Sequence, residues 1–135
     1  MVQHINNSEE HCEGRVRTVK ITKKSKLAFS FKEKDSIIKV KCYHHQVIEK
    51  RGVNIEPIVY DSDGSIHAIE LNEPGRWVIG VQWHPERSQD DKNREIIREF
   101  VKQADVYRVK KIAAWMILMM FWRLISLKKK DIKAQ

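Results

Sequence analysis

The residues with the clearest capacity for chemistry are His84 and Glu86, which are separated by Pro85. A carboxylate that bonds one nitrogen of an imidazole fixes its tautomer and stabilises the imidazolium formed when the ring accepts a proton. Such a pair is the general-base half of a nucleophilic triad. Histidine–glutamate pairs in loops are also often solvated or structural, so the pair alone leaves both interpretations open.

The elements that must position this pair are mostly short strands. Residues 77–83, directly before His84, are apolar on consecutive positions, which predicts a strand buried on both faces inside a sheet. Open α/β sheets present functional groups at the carboxyl ends of such strands. Further strands are predicted over residues 15–21, 37–43, 55–60 and 66–71.

Turn residues separate these strands. Asp61-Ser62-Asp63-Gly64 predicts a hairpin turn, because aspartate and glycine tolerate the positive φ of tight turns. Asn72-Glu73-Pro74-Gly75 predicts a second turn, in which proline presets φ. The alternating apolar residues Leu27, Phe29 and Phe31, in a basic segment, predict further strand structure with one solvated face.

Two helical segments are predicted after Pro85. Residues 91–104 form an amphipathic helix that should pack on the sheet through a stripe of Ile96, Ile97, Phe100 and Val101. Residues 112–127 are almost wholly apolar and are bracketed by lysines. A spanning helix needs roughly twenty apolar residues, so this tail is short for a membrane span. It favours packing against a partner, with a helix lying at a membrane surface as the alternative.

Composition narrows the possible functions. The net charge of +8 could attract nucleic acid, but the basic segment shows neither a reading helix nor aromatic stacking platforms, so we expect no nucleic-acid partner. Cys12 and Cys42, by their number and spacing, define neither a disulfide framework nor a zinc site, and no cofactor is implied. A cytoplasmic location is expected, because the first residues contain no apolar run of the length that a signal peptide requires.

Three motifs in order resemble those of class-I glutamine amidotransferases, in particular the γ-glutamyl hydrolase branch that includes γ-glutamyl-γ-aminobutyrate hydrolase. They are Tyr43-His44-His45-Gln46, Asp63-Gly64-Ser65-Ile66-His67-Ala68-Ile69-Glu70 and Gly80-Val81-Gln82-Trp83-His84-Pro85-Glu86. The resemblance covers about residues 14–104. It implies that His84 is the base of a Cys-His-Glu triad, that Glu86 orients it, and that His44 lies beside the substrate. The resemblance also implies that His45 and Gln46 have a structural role, in which they hold their loop by hydrogen bonds.

The sequence also departs from that family, which places its cysteine on a G-x-C-x-G elbow. No such elbow occurs in these 135 residues. The resemblance therefore predicts an α/β fold corresponding to the C-terminal part of a flavodoxin-like amidotransferase domain, mostly strands and hairpins plus a C-terminal helix and an apolar tail helix. Residues 1–104 would form this partial domain, and residues 105–135 the tail.

Three functional hypotheses follow. The chain is a family member that is inactive by itself, or half of a split hydrolase for a γ-glutamyl small molecule, completed by a separate chain that carries the nucleophile. The third hypothesis is a membrane-surface binding protein that uses the basic strands together with the tail helix of residues 112–127.

Overall fold

A computed structural model of the chain describes residues 12–22, 24–31 and 37–133, with side chains as far as residue 121. Mixed α and β structure is observed, as predicted. The strands are β1 (Arg15–Ile21), β2 (Ile37–Cys42), β3 (Ile55–Tyr60), β4 (Ile66–Leu71) and β5 (Ile79–Val81), and the helices are α1 (Lys26–Ser30), a 3-10 turn (Pro85–Arg87) and α2 (Asp91–Lys133).

The five strands form one curled antiparallel sheet in the order β2-β1-β3-β4-β5. In β2, Ile38, Val40 and Cys42 are buried, whereas Ile37 and Lys39 are exposed. This alternation is typical of a sheet with one face on the core. The predicted strands at residues 15–21, 55–60 and 66–71 are confirmed, and the one predicted at 37–43 ends one residue earlier.

The second and third strands of the sheet share its shortest ladder. β1 pairs with β3 at only two positions, Lys20 with Tyr60 and Ile21 with Val59, whereas its ladder with β2 spans the length of that strand. The antiparallel β1–β2 pair is thus held to the other strands by few ladder positions, which allows the sheet to curl. The end of β2 consequently lies against β4, although the two strands are not neighbours in the sheet order.

Both predicted turns are present. The Gly64 N–H donates to the Asp61 carbonyl at 3.1 Å, and Gly64 has a φ of +83°, which closes the β3–β4 hairpin. The Arg76 N–H donates to the Glu73 carbonyl at 3.4 Å in the turn before β5. Glycine is suited to Gly64 and Gly75 because both adopt positive φ.

The last strand differs from its prediction. β5 has only three residues and lies at the edge of the sheet formed by the described residues. Ile79 and Val81 are half-buried and Gly80 is exposed, so the prediction of burial on both faces is wrong. The physical reason is position: β5 pairs on one side with β4, and its alternate residues face solvent.

The predicted strand structure at Leu27, Phe29 and Phe31 is also wrong. Residues 26–30 form the single-turn helix α1, because the Ser25 hydroxyl accepts a hydrogen bond of 3.0 Å from the Ala28 N–H and so caps it. Leu27 is buried in the core, whereas Phe29 is 81% exposed.

The two predicted helices merge into the continuous helix α2. Its contact with the sheet also differs from the predicted stripe, since Ile97, Phe100 and Val101 are exposed. Ile96 is buried as predicted, and the other buried residues are Asn93 and Glu99, so the buried positions recur every three residues. Hydrogen bonds made by Asn93, described below, rotate this face towards the sheet.

The chain divides into two compact units, residues 1–99 and 100–135. The second unit is the remainder of α2, in which Trp115, Met116, Met119 and Phe121 are more than half exposed. Among the described residues, no helix has both the length and the apolar character needed to cross a membrane. The proposed domain boundary after residue 104 stays a prediction.

Candidate functional site

His84 and Glu86 meet on the 3-10 turn that follows β5. His84 precedes the turn, and Pro85 occupies its first position, where the absence of an N–H costs no hydrogen bond. His84 Nδ1 lies 2.7 Å from Glu86 Oε1. The two side chains are 39% and 59% exposed, so the pair lies at the surface.

The electrostatics of this pair favour an ionised carboxylate. The hydrogen bond from His84 lowers the pKa of Glu86 below its ordinary value, and the nearby charge of Arg87 acts in the same direction. A carboxylate that accepts the Nδ1–H leaves the Nε2 lone pair of a neutral imidazole available for a proton. The pair therefore has the geometry of a general base and its orienting acid.

The end of β2 positions this histidine. The His84 N–H donates to the Lys41 carbonyl at 3.4 Å, and the Tyr43 ring meets the His84 ring edge to face, with centroids 5.3 Å apart. Arg87 places its guanidinium 4.5 Å from the centroid of the same tyrosine ring. Gly14 lies close to Tyr43, since a Cβ built on it would be 2.6 Å from the tyrosine oxygen.

His44 lies in the loop after β2 and is half-buried. Its Nδ1 is 2.9 Å from the Gln46 carbonyl oxygen, and its ring packs 5.2 Å from that of His67. Gln82 Nε2 donates to the same Gln46 carbonyl at 2.7 Å. The carbonyl of Gln46 thus holds the loop, whereas the role of His44 beside a substrate stays a prediction. His45, the neighbouring motif residue, is exposed.

The two thiols have unequal environments. Cys42 is fully buried, and burial, together with the charge of Asp61, raises the pKa of its thiol to about 12. It is therefore almost entirely protonated at neutral pH, which makes it a poor nucleophile. Cys12 is half-buried and its Sγ donates to the His44 carbonyl at 3.5 Å.

A buried polar network, which motif spacing does not indicate, lies beside Cys42. Arg17 Nε donates to Asp61 Oδ2 at 2.6 Å, and His67 Nε2 is 3.5 Å from the same oxygen. His67 Nδ1 in turn is 4.0 Å from Cys42 Sγ. The sequence predicts Asp61 only as a turn residue. Its signal for His67 is weak: a histidine in the second motif, between apolar neighbours.

The charge on Asp61 is stabilised despite its burial. Burial alone raises the pKa of this carboxyl, but hydrogen bonds from Arg17 and from the Ser62 N–H outweigh it, so the pKa lies below its ordinary value. Arg17 is itself 18% exposed, which lets the ion pair retain some solvation. The network is therefore a charged pair with a buried imidazole beside it.

Comparisons with known proteins agree with this fold. The family model described as Peptidase C26 matches residues 1–86. The candidate glutamine amidotransferase Rv2859c of Mycobacterium tuberculosis is 51% identical over 53 residues, which are 38% of this chain and 17% of the relative. The glutamine amidotransferase-like protein RP404 of Rickettsia prowazekii is 42% identical over 48 residues, 36% of this chain and 17% of that protein.

Among solved structures, a candidate GMP synthase subunit from Thermoplasma acidophilum superimposes with a TM-score of 0.61. The identity is 19%, and the match covers 76% of this chain and 49% of the archaeal protein, so it supports the fold alone. The chain thus matches about a sixth of the length of these curated relatives and half of the structural neighbour. With the family model matching well over half of its residues, the chain belongs to the Peptidase C26 family, whose domains resemble class-I glutamine amidotransferases.

Proposed function

We propose that this chain provides the acid–base pair of a γ-glutamyl amide hydrolase, in which His84 is the general base and Glu86 its orienting acid. The observation that carries the proposal is the 2.7 Å contact between His84 Nδ1 and Glu86 Oε1 at the end of β5. We further propose that the nucleophilic cysteine lies outside residues 1–135, and that these residues alone are inactive.

The chemistry of such a site is that of a cysteine hydrolase. His84 Nε2 accepts the proton of the attacking thiol as sulfur bonds to the γ-glutamyl carbonyl carbon. The resulting imidazolium returns that proton to the departing amine as the amide bond breaks, which leaves a thioester. Water, deprotonated by the same imidazole, then attacks the thioester carbonyl carbon. The carbon–sulfur bond breaks, glutamate is released, and the imidazolium returns the proton to the cysteine thiolate. Glu86, held ionised by its bond to His84, stabilises the imidazolium in both steps.

Two properties of the thiols support the proposal that the nucleophilic cysteine lies outside residues 1–135. Cys42 is buried and protonated, and a nucleophile must reach a substrate as a thiolate. Cys12 is preceded two positions earlier by Glu10, where the G-x-C-x-G elbow has glycine. The elbow matters because its backbone N–H groups also bind the oxyanion of the tetrahedral intermediate.

The test is to express the 135-residue chain alone and together with the coding sequence immediately upstream, and to measure amine release from γ-glutamyl-γ-aminobutyrate. We expect no turnover from the chain alone, and turnover when an upstream G-x-C-x-G segment is present. In the active form, His84→Asn should reduce kcat by at least about 10²-fold. Turnover by the chain alone, or full activity of His84→Asn, would contradict the proposal.

If no elbow is encoded upstream, the result would instead support the hypothesis that the chain is a family member without activity. A folded, inactive monomer is the result expected for that form. It would leave the family membership intact, because the motif match does not depend on turnover.

A membrane-surface role is a separate candidate, favoured by the exposed apolar side chains of α2. Ile112, Trp115, Met116 and Met119 share one face of this helix, and Lys110 and Lys111 precede them. Such a face can lie in the headgroup region of an anionic bilayer, with tryptophan at the interface. Co-sedimentation with phosphatidylserine vesicles tests this role, and binding equal to that of neutral vesicles would exclude an electrostatic contribution.

A further inference from the structure

Three side chains with metal-binding atoms converge beneath the curl of the sheet. Cys42 ends β2, His44 follows it in the loop, and His67 lies on β4. One ligand atom from each residue lies within 4.8 Å of those of the other two. Cys42 and His67 are fully buried and His44 is half-buried, so the cluster is approached from the side of the loop.

The spacing of these atoms is close to that of a metal site. Tetrahedral zinc, with bonds of about 2.3 Å to sulfur and about 2.1 Å to nitrogen, places its ligand atoms roughly 3.3–3.6 Å apart. Cys42 Sγ and His67 Nδ1 are 4.0 Å apart, and the two histidine rings are 5.2 Å apart between centroids. The three ligand atoms all lie within 4.8 Å of one another, so the widest pair would have to close by at most about 1.2 Å to reach tetrahedral spacing.

An oxygen lies beside one ring nitrogen of each histidine, the one that would face away from the metal. His44 Nδ1 is held by the Gln46 carbonyl at 2.9 Å, which leaves Nε2 as its ligand atom. His67 Nε2 faces Asp61 Oδ2 at 3.5 Å, which leaves Nδ1 towards Cys42. Zinc-bound histidines characteristically bond a carbonyl or a carboxylate through this nitrogen, because the contact orients the ring and raises its basicity. His44 already has such a bond, and His67 would complete one by closing its 3.5 Å separation from Asp61.

We propose that Cys42, His44 and His67 form a Zn²⁺ site, with water in the fourth position. Zinc would displace the proton of the Cys42 thiol to solvent as the bond to sulfur forms. The resulting thiolate and two imidazoles suit zinc, whereas magnesium and calcium prefer oxygen ligands. In this arrangement His44 is a metal ligand, and not the substrate neighbour that the family resemblance implies. The proposal is independent of the hydrolase function, since the cluster shares no residue with the His84–Glu86 pair.

The consequence of such a site is structural. The three ligands belong to β2, its following loop and β4, and these two strands are separated in the sheet order by β1 and β3. Gln82 ties β5 to the same place, because its N–H donates to the His67 carbonyl at 2.8 Å and its side chain to the Gln46 carbonyl. Bound zinc would therefore fasten the two sides of the curled sheet, and its binding energy would add to folding stability.

An alternative use of the same residues is a Cys42–His67–Asp61 catalytic triad. Cys42 Sγ lies 4.0 Å from His67 Nδ1, and His67 Nε2 lies 3.5 Å from Asp61 Oδ2, which are long distances for a triad. The burial of Cys42 and His67 also leaves no approach for a substrate. A zinc ion needs far less space. We therefore favour metal binding over nucleophilic chemistry at this cluster.

The experiment uses the full chain, purified without metal under reducing conditions and titrated with Zn²⁺ and with Co²⁺. We expect one ion per chain, a thiolate-to-cobalt charge-transfer band in the near ultraviolet, and a melting temperature that rises with zinc concentration. Binding below one ion per chain, or cobalt binding without the thiolate band, would overturn the proposal.

Variants locate the ion. Cys42→Ser and His67→Gln should each lower zinc affinity by more than about 100-fold. Loss of a residue that only hydrogen-bonds a ligand typically lowers metal affinity by about 10- to 100-fold. Because both residues are buried, circular dichroism must accompany the titration, and His44→Gln decides the question if either variant unfolds. The matched controls Cys12→Ser and His45→Gln should bind as the unmodified chain does. Unchanged affinity in His44→Gln, or its loss in a control, would place the ion elsewhere.

Discussion

The indole of Trp83 donates a hydrogen bond of 2.9 Å to the side-chain oxygen of Asn93, and this buried bond joins the residue that precedes His84 to helix α2. The same asparagine donates to the Lys39 carbonyl at 3.0 Å and to the Ser88 hydroxyl at 3.2 Å. A single amide thus connects β2, the turn that bears His84 and Glu86, and the helix.

Replacement of Asn93 should therefore be costly. Asn93→Leu would leave the buried indole N–H of Trp83 without this partner, at about 1–3 kcal/mol, and the part-buried Lys39 carbonyl without it at a smaller cost. We expect a loss of about 2–4 kcal/mol in the free energy of unfolding, measured by urea denaturation. Arg94→Ala, at an exposed position one residue further, should cost less than about 0.5 kcal/mol. Equal effects of the two variants would show that the amide network is dispensable.

The Arg17–Asp61 pair should govern stability in acid. The pKa of Asp61 is lower in the folded chain than its unfolded value of about 3.9, so the folded state favours the ionised form. Its contribution is complete above about pH 5 and is lost as the pH falls through the folded pKa. Thermal unfolding between about pH 5 and 2 should show this loss, and Asp61→Asn should lower stability at neutral pH while flattening that part of the profile.

Asp91→Asn is the matched control for this pH profile, because the Asp91 side chain is 85% exposed at the start of α2. It should leave the slope over the same acid range almost unchanged. A slope that persists in Asp61→Asn would assign the acid sensitivity to other carboxyl groups.

The His84–Glu86 contact can be detected without turnover. Since His84 is the main cause of the lowered pKa of Glu86, His84→Ala should raise that pKa towards its ordinary value of 4.5. Carbon-detected NMR titration of the glutamate carboxyls measures the change directly. His45→Ala, which alters the neighbouring motif, should leave the Glu86 titration as it was. An unshifted titration in His84→Ala would mean that the contact does not persist in solution.

Gly14 and Gly64 provide a matched pair of substitutions. Both have positive φ, +77° and +83°, so alanine at either position carries the strain of the left-handed region, about 1–2 kcal/mol. Gly64 has open space around it, whereas a Cβ at Gly14 would be 2.6 Å from the Tyr43 oxygen. Gly14→Ala should therefore destabilise the chain more than Gly64→Ala in denaturant melts. Equal losses would show that the tyrosine ring moves aside freely.

Much of the fold can be predicted because its determinants are local. Alternation along β2 and the turn residues Asp61 and Gly64 indicate strand and hairpin directly, and the order of the motifs indicates the family. The exposure of β5 cannot be predicted, since a run of apolar residues does not reveal whether the strand has a neighbour on both sides. The helix stripe fails for a related reason: the polar Asn93 is buried by bonds to distant residues.

In the candidate site, too, contacts between residues close in sequence can be predicted and contacts between distant residues cannot. His84 and Glu86 lie two residues apart, so the motif alone is enough to indicate their contact. Cys42 and His67 are 25 residues apart on strands that are not neighbours, and their contact depends on the curl of the sheet. The short β1–β3 ladder that permits this curl has no signature in residue spacing.

The edge-to-face contact between Tyr43 and His84 also provides a spectroscopic probe. With the ring planes perpendicular and the centroids 5.3 Å apart, aromatic ring currents shift the resonances of protons on the neighbouring ring by an amount that depends on their distance and angle. Imidazole resonances that change between the unmodified chain and Tyr43→Leu would identify His84 in the spectrum. Those resonances would then report the arrangement of the acid–base pair directly, with neither substrate nor nucleophile present.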